Sequence, residues 1–196
     1  MGLRERKKRR TTQALQDSAQ ALFTKKGYEH TTVDDIAAAA GVSTRTFYRY
    51  FAGKDDVVLR PLGDVLEQHR ELLASRPKDE PPLQALRESL VDFAPAAEEF
   101  ATRERVELIR ETRELRRGAL DVCSGWHEAV ASDLAARQSG DDRRGLWLAS
   151  GMAITLGLGS LKVWIEKGGR PQGLAQSVLE TFGSVGELLR QGIGLG

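Results

Sequence analysis

The chain of 196 residues holds one cysteine, Cys123. A lone thiol excludes an internal disulfide framework and fits a reducing interior. Sustained two-residue alternation of apolar, β-branched residues is also missing, so no sheet is expected. There is no GxGxxG, P-loop, GxSxG, HExxH or CxxC sequence, which removes the usual frames for nucleotide, nucleophile and zinc chemistry. Cys123 and His127 lie four apart and share a helix face by spacing, but two ligands do not make a zinc site. His30 and His69 have no comparable neighbours. No catalytic residue, metal site or cofactor is expected, and the chain does not read as an enzyme. The basic start, MGLRERKKRR, runs into polar TTQ instead of an apolar stretch, so no signal peptide is expected. The uncharged run GLWLASGMAITLGLGSL is closed by Arg144 and Lys162 after 17 residues, against the roughly 20 that cross a bilayer. Its glycines and serines suit a buried helix better than a span, so no membrane association is expected and the protein is placed in the cytoplasm.

What is present is helix and an uneven distribution of charge. The formal net charge is +1, yet residues 1–60 carry 12 basic and 7 acidic side chains, leaving 17 and 21 beyond. A basic front and an acidic rear point to a polyanion at the front only. Apolar residues recur at helical spacing: Leu15, Ala19, Leu22 and Phe23, then Val33, Ile36, Ala37 and Ala40. Gly27 can close the first helix, Thr32 with Asp35 can open the second as a capping box, and Gly41 can end it. Ser43 then caps a third, which completes a helix-turn-helix order. A further helix is expected from Lys54 with Pro61 inside it, where a proline kinks the chain and shapes a pivot. SRPKDEPP, at 75–82, is the clearest linker. Helical patterns follow at 83–94, 97–111, 113–138, 142–167 and 172–192, with Pro95, Gly140 and residues 168–171 as punctuation. The expected division is a basic arm at 1–9, a DNA-binding domain at 10–60 and a helical domain at 61–196.

The third helix carries an unusual surface. Phe47 and Phe51 share one face with Val42 and can pack on Ile36 and Ala40. Thr44, Arg45 and Tyr48 share another, with Thr46 and Arg49 at its edges. An arginine can donate two hydrogen bonds to guanine, and threonine can reach a base edge or a thymine methyl. Tyr50 and Lys54 stand where a helix end meets backbone phosphate. A solvated amphipathic helix accounts for any one of these residues. The combination, with Arg4 to Arg10 in front as a phosphate or minor-groove arm, points to double-stranded DNA.

The stretch LFTKKGYEHTTVDDIAAAAGVSTRTFYRYFAGKDDVV resembles the DNA-binding domain of TetR-type transcriptional regulators, over about residues 10–60. The resemblance implies that Ser43 to Tyr50 form the recognition helix, with Thr44, Arg45, Thr46 and Tyr48 facing the groove. Tyr50 and Lys54 are then phosphate contacts, and Thr32 and Arg49 complete the DNA-facing set. Arg45 departs from the glycine, proline or lysine of many members. In the rear half, small residues Ser150, Gly151, Gly157 and Ser160 would let a helix approach closely. With Leu174, Ser177, Val178, Thr181, Phe182, Val185, Leu188 and Leu189, they suit a four-helix interface between two copies.

The family implies the same homodimer through the last two long helices, a palindromic operator, and middle helices that enclose an effector pocket. STRTFYRYFAGKDDVV followed by DEPPLQALR resembles an actinobacterial subgroup, including regulators near mycofactocin genes, whose rear domain binds acyl-CoA-like ligands. Pocket candidates are Phe93, Phe100, Trp126, Trp147 and Trp164, each of which also reads as ordinary core. Arg110, Arg113, Arg116 and Arg117 either meet the phosphates of such a ligand or pair with Glu107, Glu111 and Glu114. The expected protein is all-α: a homodimeric repressor released by a small hydrophobic, acyl-CoA-like or fatty-acid-like effector. The alternative is a DNA-binding dimer without ligand response.

Overall fold

The computed structural model describes residues 2–137, 143–169 and 173–192, and contains no strand among them. Its helices are α1 (Leu3–Lys26), α2 (Val33–Ala39), α3 (Thr44–Tyr50), α4 (Lys54–Ser75) and α5 (Pro82–Phe100). They continue as α6 (Arg103–Glu111), α7 (Arg113–Ala135), α8 (Arg143–Glu166) and α9 (Gly173–Gly192). The chain gathers into two compact units, 1–63 with 104–122, and 64–103 with 123–196. The front unit thus includes most of α6 and the first part of α7, which differs from the expected boundary at residue 60. Of the helix expected at 113–138, α7 ends at Ala135 and residue 138 lies outside the described residues, as do Gly140, Arg170 and Pro171.

In the front unit the helix boundaries follow local chemistry. Gly27 takes φ 84° and donates its N–H to Phe23 O, ending α1. Thr32 and Asp35 form the capping box of α2: the Thr32 hydroxyl accepts from Asp35 N at 3.1 Å, and Asp35 accepts from Thr32 N at 2.8 Å. Gly41 turns the chain at φ 68°, a conformation that disfavours a side chain, and Val42 N reaches back to Ala37 O at 2.9 Å. Ser43 caps α3 by accepting from Thr46 N at 3.1 Å. Leu15, Ala19, Phe23, Ile36, Ala37, Phe47, Phe51 and Leu115 close into one core, with Leu108 and Ile109 packed against it. Leu108, Ile109 and Leu115 are what bring residues 104–122 into this unit.

Pro61 sits inside α4, and Pro95 sits inside α5, which runs unbroken to Phe100. The expected break at Pro95 does not occur. Phe93, Ala94 and Ala97 are buried around it while Pro95 itself is exposed, so burial of one face holds the helix through the proline.

In the rear unit α5, α8 and α9 pack on one another. Ser160 Oγ and Thr181 Oγ1 meet at 2.9 Å between α8 and α9. Gly151 lies so close to His127 that an added Cβ would stand 3.2 Å from the ring, while Gly157 faces Leu90 at ordinary contact distance. Arg70 pairs with Asp133 at 2.9 Å, and Arg137 donates to Leu73 O and Arg76 O, so the end of α7 satisfies the last carbonyls of α4. Helix α8 is buried on one side only, at Leu146, Ser150, Ile154, Ser160 and Trp164. Trp147, Leu148, Met152, Leu158 and Val163 are exposed in the single chain. By length and composition alone residues 146–166 could also cross a membrane.

Candidate nucleic-acid interface and rear-unit cluster

Helix α3 divides as its composition predicts. Phe47 and Phe51 are 0% and 1% exposed and their ring centroids lie 5.8 Å apart. The other side carries Arg45, Tyr48 and Arg49, all exposed, with Arg49 resting 5.2 Å from the Tyr50 ring. The hydroxyls expected beside them are engaged within the protein. Thr44 donates to Asp34 Oδ1 at 2.6 Å, and Ser43 Oγ, the cap of α3, meets Thr46 Oγ1 at 3.0 Å. Thr32 is exposed and bound into the capping box, and its hydroxyl also donates to Asp35 Oδ2 at 2.6 Å. The Asp35 carboxylate is held well below the usual range, first by Lys26 at 2.6 Å and then by Thr32. Lys54 is half-buried: its ammonium donates to Tyr28 O at 2.9 Å and lies 4.2 Å from the Tyr28 ring centroid. It fastens the start of α4 to the loop after α1.

A groove runs between the start of α1 and the end of α3, lined by Arg4, Lys7, Lys8, Arg49, Tyr50 and Arg60 among others. The basic arm is helical here, forming the first turns of α1. Its positive charges crowd a helix N-terminus, where the backbone dipole already presents positive charge, so they are poorly placed for the helix itself. An anion in the groove would offset both. Arg60 escaped the sequence reading. It pairs with Asp56, donates to Tyr50 O and stacks 4.9 Å from the Phe51 ring, tying α3 to α4 at the edge of the groove. Its separation of ten residues from Tyr50 gives no periodic signal.

The pocket candidates separate. Phe93 and Trp126 are buried and meet His69 edge-on, with centroids 5.3 and 5.1 Å away. Phe100 is partly exposed at the end of α5. Trp147 is half-exposed and lies 4.9 Å from the His127 ring. Arg110 belongs to the front unit, where it pairs with Glu111 at 3.3 Å with both side chains largely exposed. His69, dismissed in the sequence for lack of neighbours, is 0% exposed, and burial pushes its pKa down to about 4. Its neighbours lie 20 and more residues away along the chain, beyond any local pattern. His127 bonds Ser150 Oγ at 3.1 Å, while burial raises the Cys123 thiol above its ordinary pKa. A raised thiol pKa leaves little thiolate at neutral pH.

Comparisons with known proteins meet this geometry at both ends of the chain. Residues 15–60 match the family described as bacterial regulatory proteins of the tetR family, and residues 80–189 match the MftR C-terminal domain. A Mycobacterium tuberculosis protein named for mycofactocin biosynthesis regulation, MftR, is 32% identical over 137 residues, 69% of each chain. The HTH-type transcriptional regulator TcmR of Streptomyces glaucescens is 49% identical over 85 residues, 43% of this chain and 38% of that one. The fold is similar to that of Thermus thermophilus FadR, a TetR-family repressor solved with lauroyl-CoA. The TM-score is 0.53 at 23% identity, covering 94% and 96% of the two chains. An α2–α3 reader, an all-helical body and matches along both halves agree: the chain belongs to the TetR family of bacterial transcriptional regulators, with an MftR-type C-terminal domain.

Proposed function

We propose that the protein is a homodimeric repressor that binds a palindromic operator through α3 and leaves it when a small effector binds the rear unit. The observation that carries this reading is the division of α3 into a buried phenylalanine side and an exposed Arg45–Tyr48–Arg49 side beside a basic groove. Arg45 and Tyr48 read bases in the major groove with Thr44 and Thr46 beside them, while Arg49, Tyr50 and the arm at 1–9 hold phosphates. Lys54 and Thr32 position the reader and stand near its phosphate-facing edge. Residues 10–60 are the DNA-binding domain in this account, and 61–196 supply dimerisation and effector binding.

The dimer forms through α8 and α9. Its support is the exposed apolar face of α8, where Leu148, Met152, Thr155 and Gly159 follow one another at helical spacing, with Leu179 exposed on α9. A face of that composition on a cytoplasmic protein is suited to a second copy of itself. Of the α9 residues expected in this contact, the side chains of Val185, Leu188 and Leu189 lie outside the described ones. An effector acts by binding one of two dimer shapes better, which removes the other from the equilibrium. An acyl-CoA or fatty acid is the first class to test, since the structurally similar FadR is seen with lauroyl-CoA.

The test begins with fragments of the genome selected by purified protein, followed by gel shift on the enriched sequence with and without acyl-CoAs and fatty acids. A palindromic consensus, bound by a dimer and released by one of these ligands, is the expected result. Enrichment without a consensus would overturn operator recognition. A consensus that no ligand releases would leave a DNA-binding dimer without ligand response.

A further inference from the structure

We infer that His69 and Trp126 form a hydroxyl-reading pair in the rear unit: the effector presents a neutral hydroxyl, phenol or alcohol, that donates to His69 Nδ1 and accepts from the Trp126 indole N–H. The inference rests on the reading of the rear unit as an effector domain.

Hydrogen-bond parity carries it. Ser89 Oγ lies 2.9 Å from Leu86 O, one turn back on α5, and the carbonyl can only accept. The single serine hydrogen is therefore committed, and towards His69 Nε2, at 3.1 Å, Ser89 must accept. Nε2 thus carries a hydrogen. The ring is neutral near pH 7, because burial depresses its pKa. A neutral imidazole with its hydrogen on Nε2 has a bare lone pair on Nδ1. That atom is buried and has no hydrogen-bond partner, and the same holds for Trp126 Nε1. His69 is 0% exposed and Trp126 8% exposed, with ring centroids 5.1 Å apart.

The pair therefore offers one unmatched acceptor and one unmatched donor, which fold stability alone does not favour. A carboxylate, ether or thioester oxygen accepts from the indole but has no hydrogen for Nδ1. An ammonium donates to Nδ1 but cannot accept from the indole. A hydroxyl does both from one atom. Phe93, edge-on to the same imidazole, adds an apolar wall suited to the carbon frame beside that hydroxyl. Sequence reading placed Phe93 and Trp126 near an effector but had no means of finding the polar atoms between them.

The experiment uses the full chain and matched pairs that differ only in the hydroxyl: 2-naphthol, 4-butylphenol and 1-decanol, each against its methyl ether. Calorimetry is expected to show at least one alcohol or phenol binding about tenfold more tightly than its ether. Trp126→Phe and His69→Phe should each erase that preference, so that within either variant every alcohol or phenol binds no more tightly than its own ether. Long-range proton–nitrogen correlation on 15N-histidine protein should show Nδ1 unprotonated in the free state and shifted by the alcohol, not by the ether. This readout needs no variant to fold. Equal affinities for every pair, or a proton on Nδ1, would overturn the inference. Long-chain acyl-CoAs and fatty acids run alongside separate the two readings. If they raise the melting temperature while no pair discriminates, the hydroxyl reading alone falls. If no compound of any class does so, the effector reading falls with it.

Discussion

The two units leave opposite things unmatched. The front unit caps α2 and α3 with their own side chains, closes an apolar core, and shows solvent cations such as Arg45, Arg49 and the arm on α1. The rear unit shows solvent carbon along α8, and keeps unmatched polar atoms inside, at His69 and Trp126. Each surplus names a different kind of molecule. Exposed cations in a groove call for a polyanion, an exposed apolar helix face for another copy, and a buried donor–acceptor pair for a small polar ligand. In the front unit stability and recognition are thus carried by different residues, and substitutions can separate them.

The largest expected effect comes from the scaffold side of α3. Phe47→Ala should destabilise the protein by about 3–5 kcal/mol, because a fully buried ring is replaced by a cavity. Urea unfolding checks this, and DNA binding should weaken on every sequence alike. In the rear unit the comparable lever is pH. His69 titrates at 6.5 when unfolded and at about 4 when buried, so the unfolded chain binds the extra proton between those values. Stability from the neutral ring is present above 6.5 and is lost as pH falls towards 4. The loss is about 3 kcal/mol at roughly 1.4 kcal/mol per pH unit. His69→Leu should remove that slope, measured as the difference between wild-type and variant unfolding free energies at pH 7 and pH 4.5.

The reading side of α3 gives smaller and more selective losses. Arg45→Ala should cost about 1–3 kcal/mol on the selected operator and little on random DNA, as read by gel shift. An equal loss on both would make Arg45 a phosphate contact. Deleting residues 2–9 should weaken binding modestly across all sequences and flatten its dependence on salt. An unchanged slope would remove the arm from the interface.

How much of this the sequence discloses depends on the range of the interaction. Gly27, Thr32, Gly41 and Ser43 were legible because each acts within four residues of itself, through a positive φ or a cap. Phe47 and Phe51 were legible because helical spacing alone puts them on one face. Pro95 misled because a proline's local effect was weighed without the buried residues on either side of it. The place of 104–122 depends on Leu108, Ile109 and Leu115 meeting residues far earlier in the chain. His69 was invisible for the same reason, since Ser89, Phe93 and Trp126 come from two other helices. On α3, side-chain types did not disclose that the hydroxyls of Ser43, Thr44 and Thr46 are bonded within the protein while Arg45 and Arg49 stay exposed, because Thr44 bonds Asp34 ten residues back.

That division bears on how such a regulator can change. Ser43, Thr44 and Thr46 are held by bonds inside the reader, so altering them disturbs the helix itself. Arg45, Tyr48 and Arg49 project from it with no comparable structural duty. If Arg45 and Tyr48 read bases as proposed, a lineage can exchange those two side chains and acquire a new target site while the fold stays as it is. On that proposal, a library randomised at Arg45 and Tyr48 alone, on one face of a seven-residue helix, should yield retargeted variants that still fold.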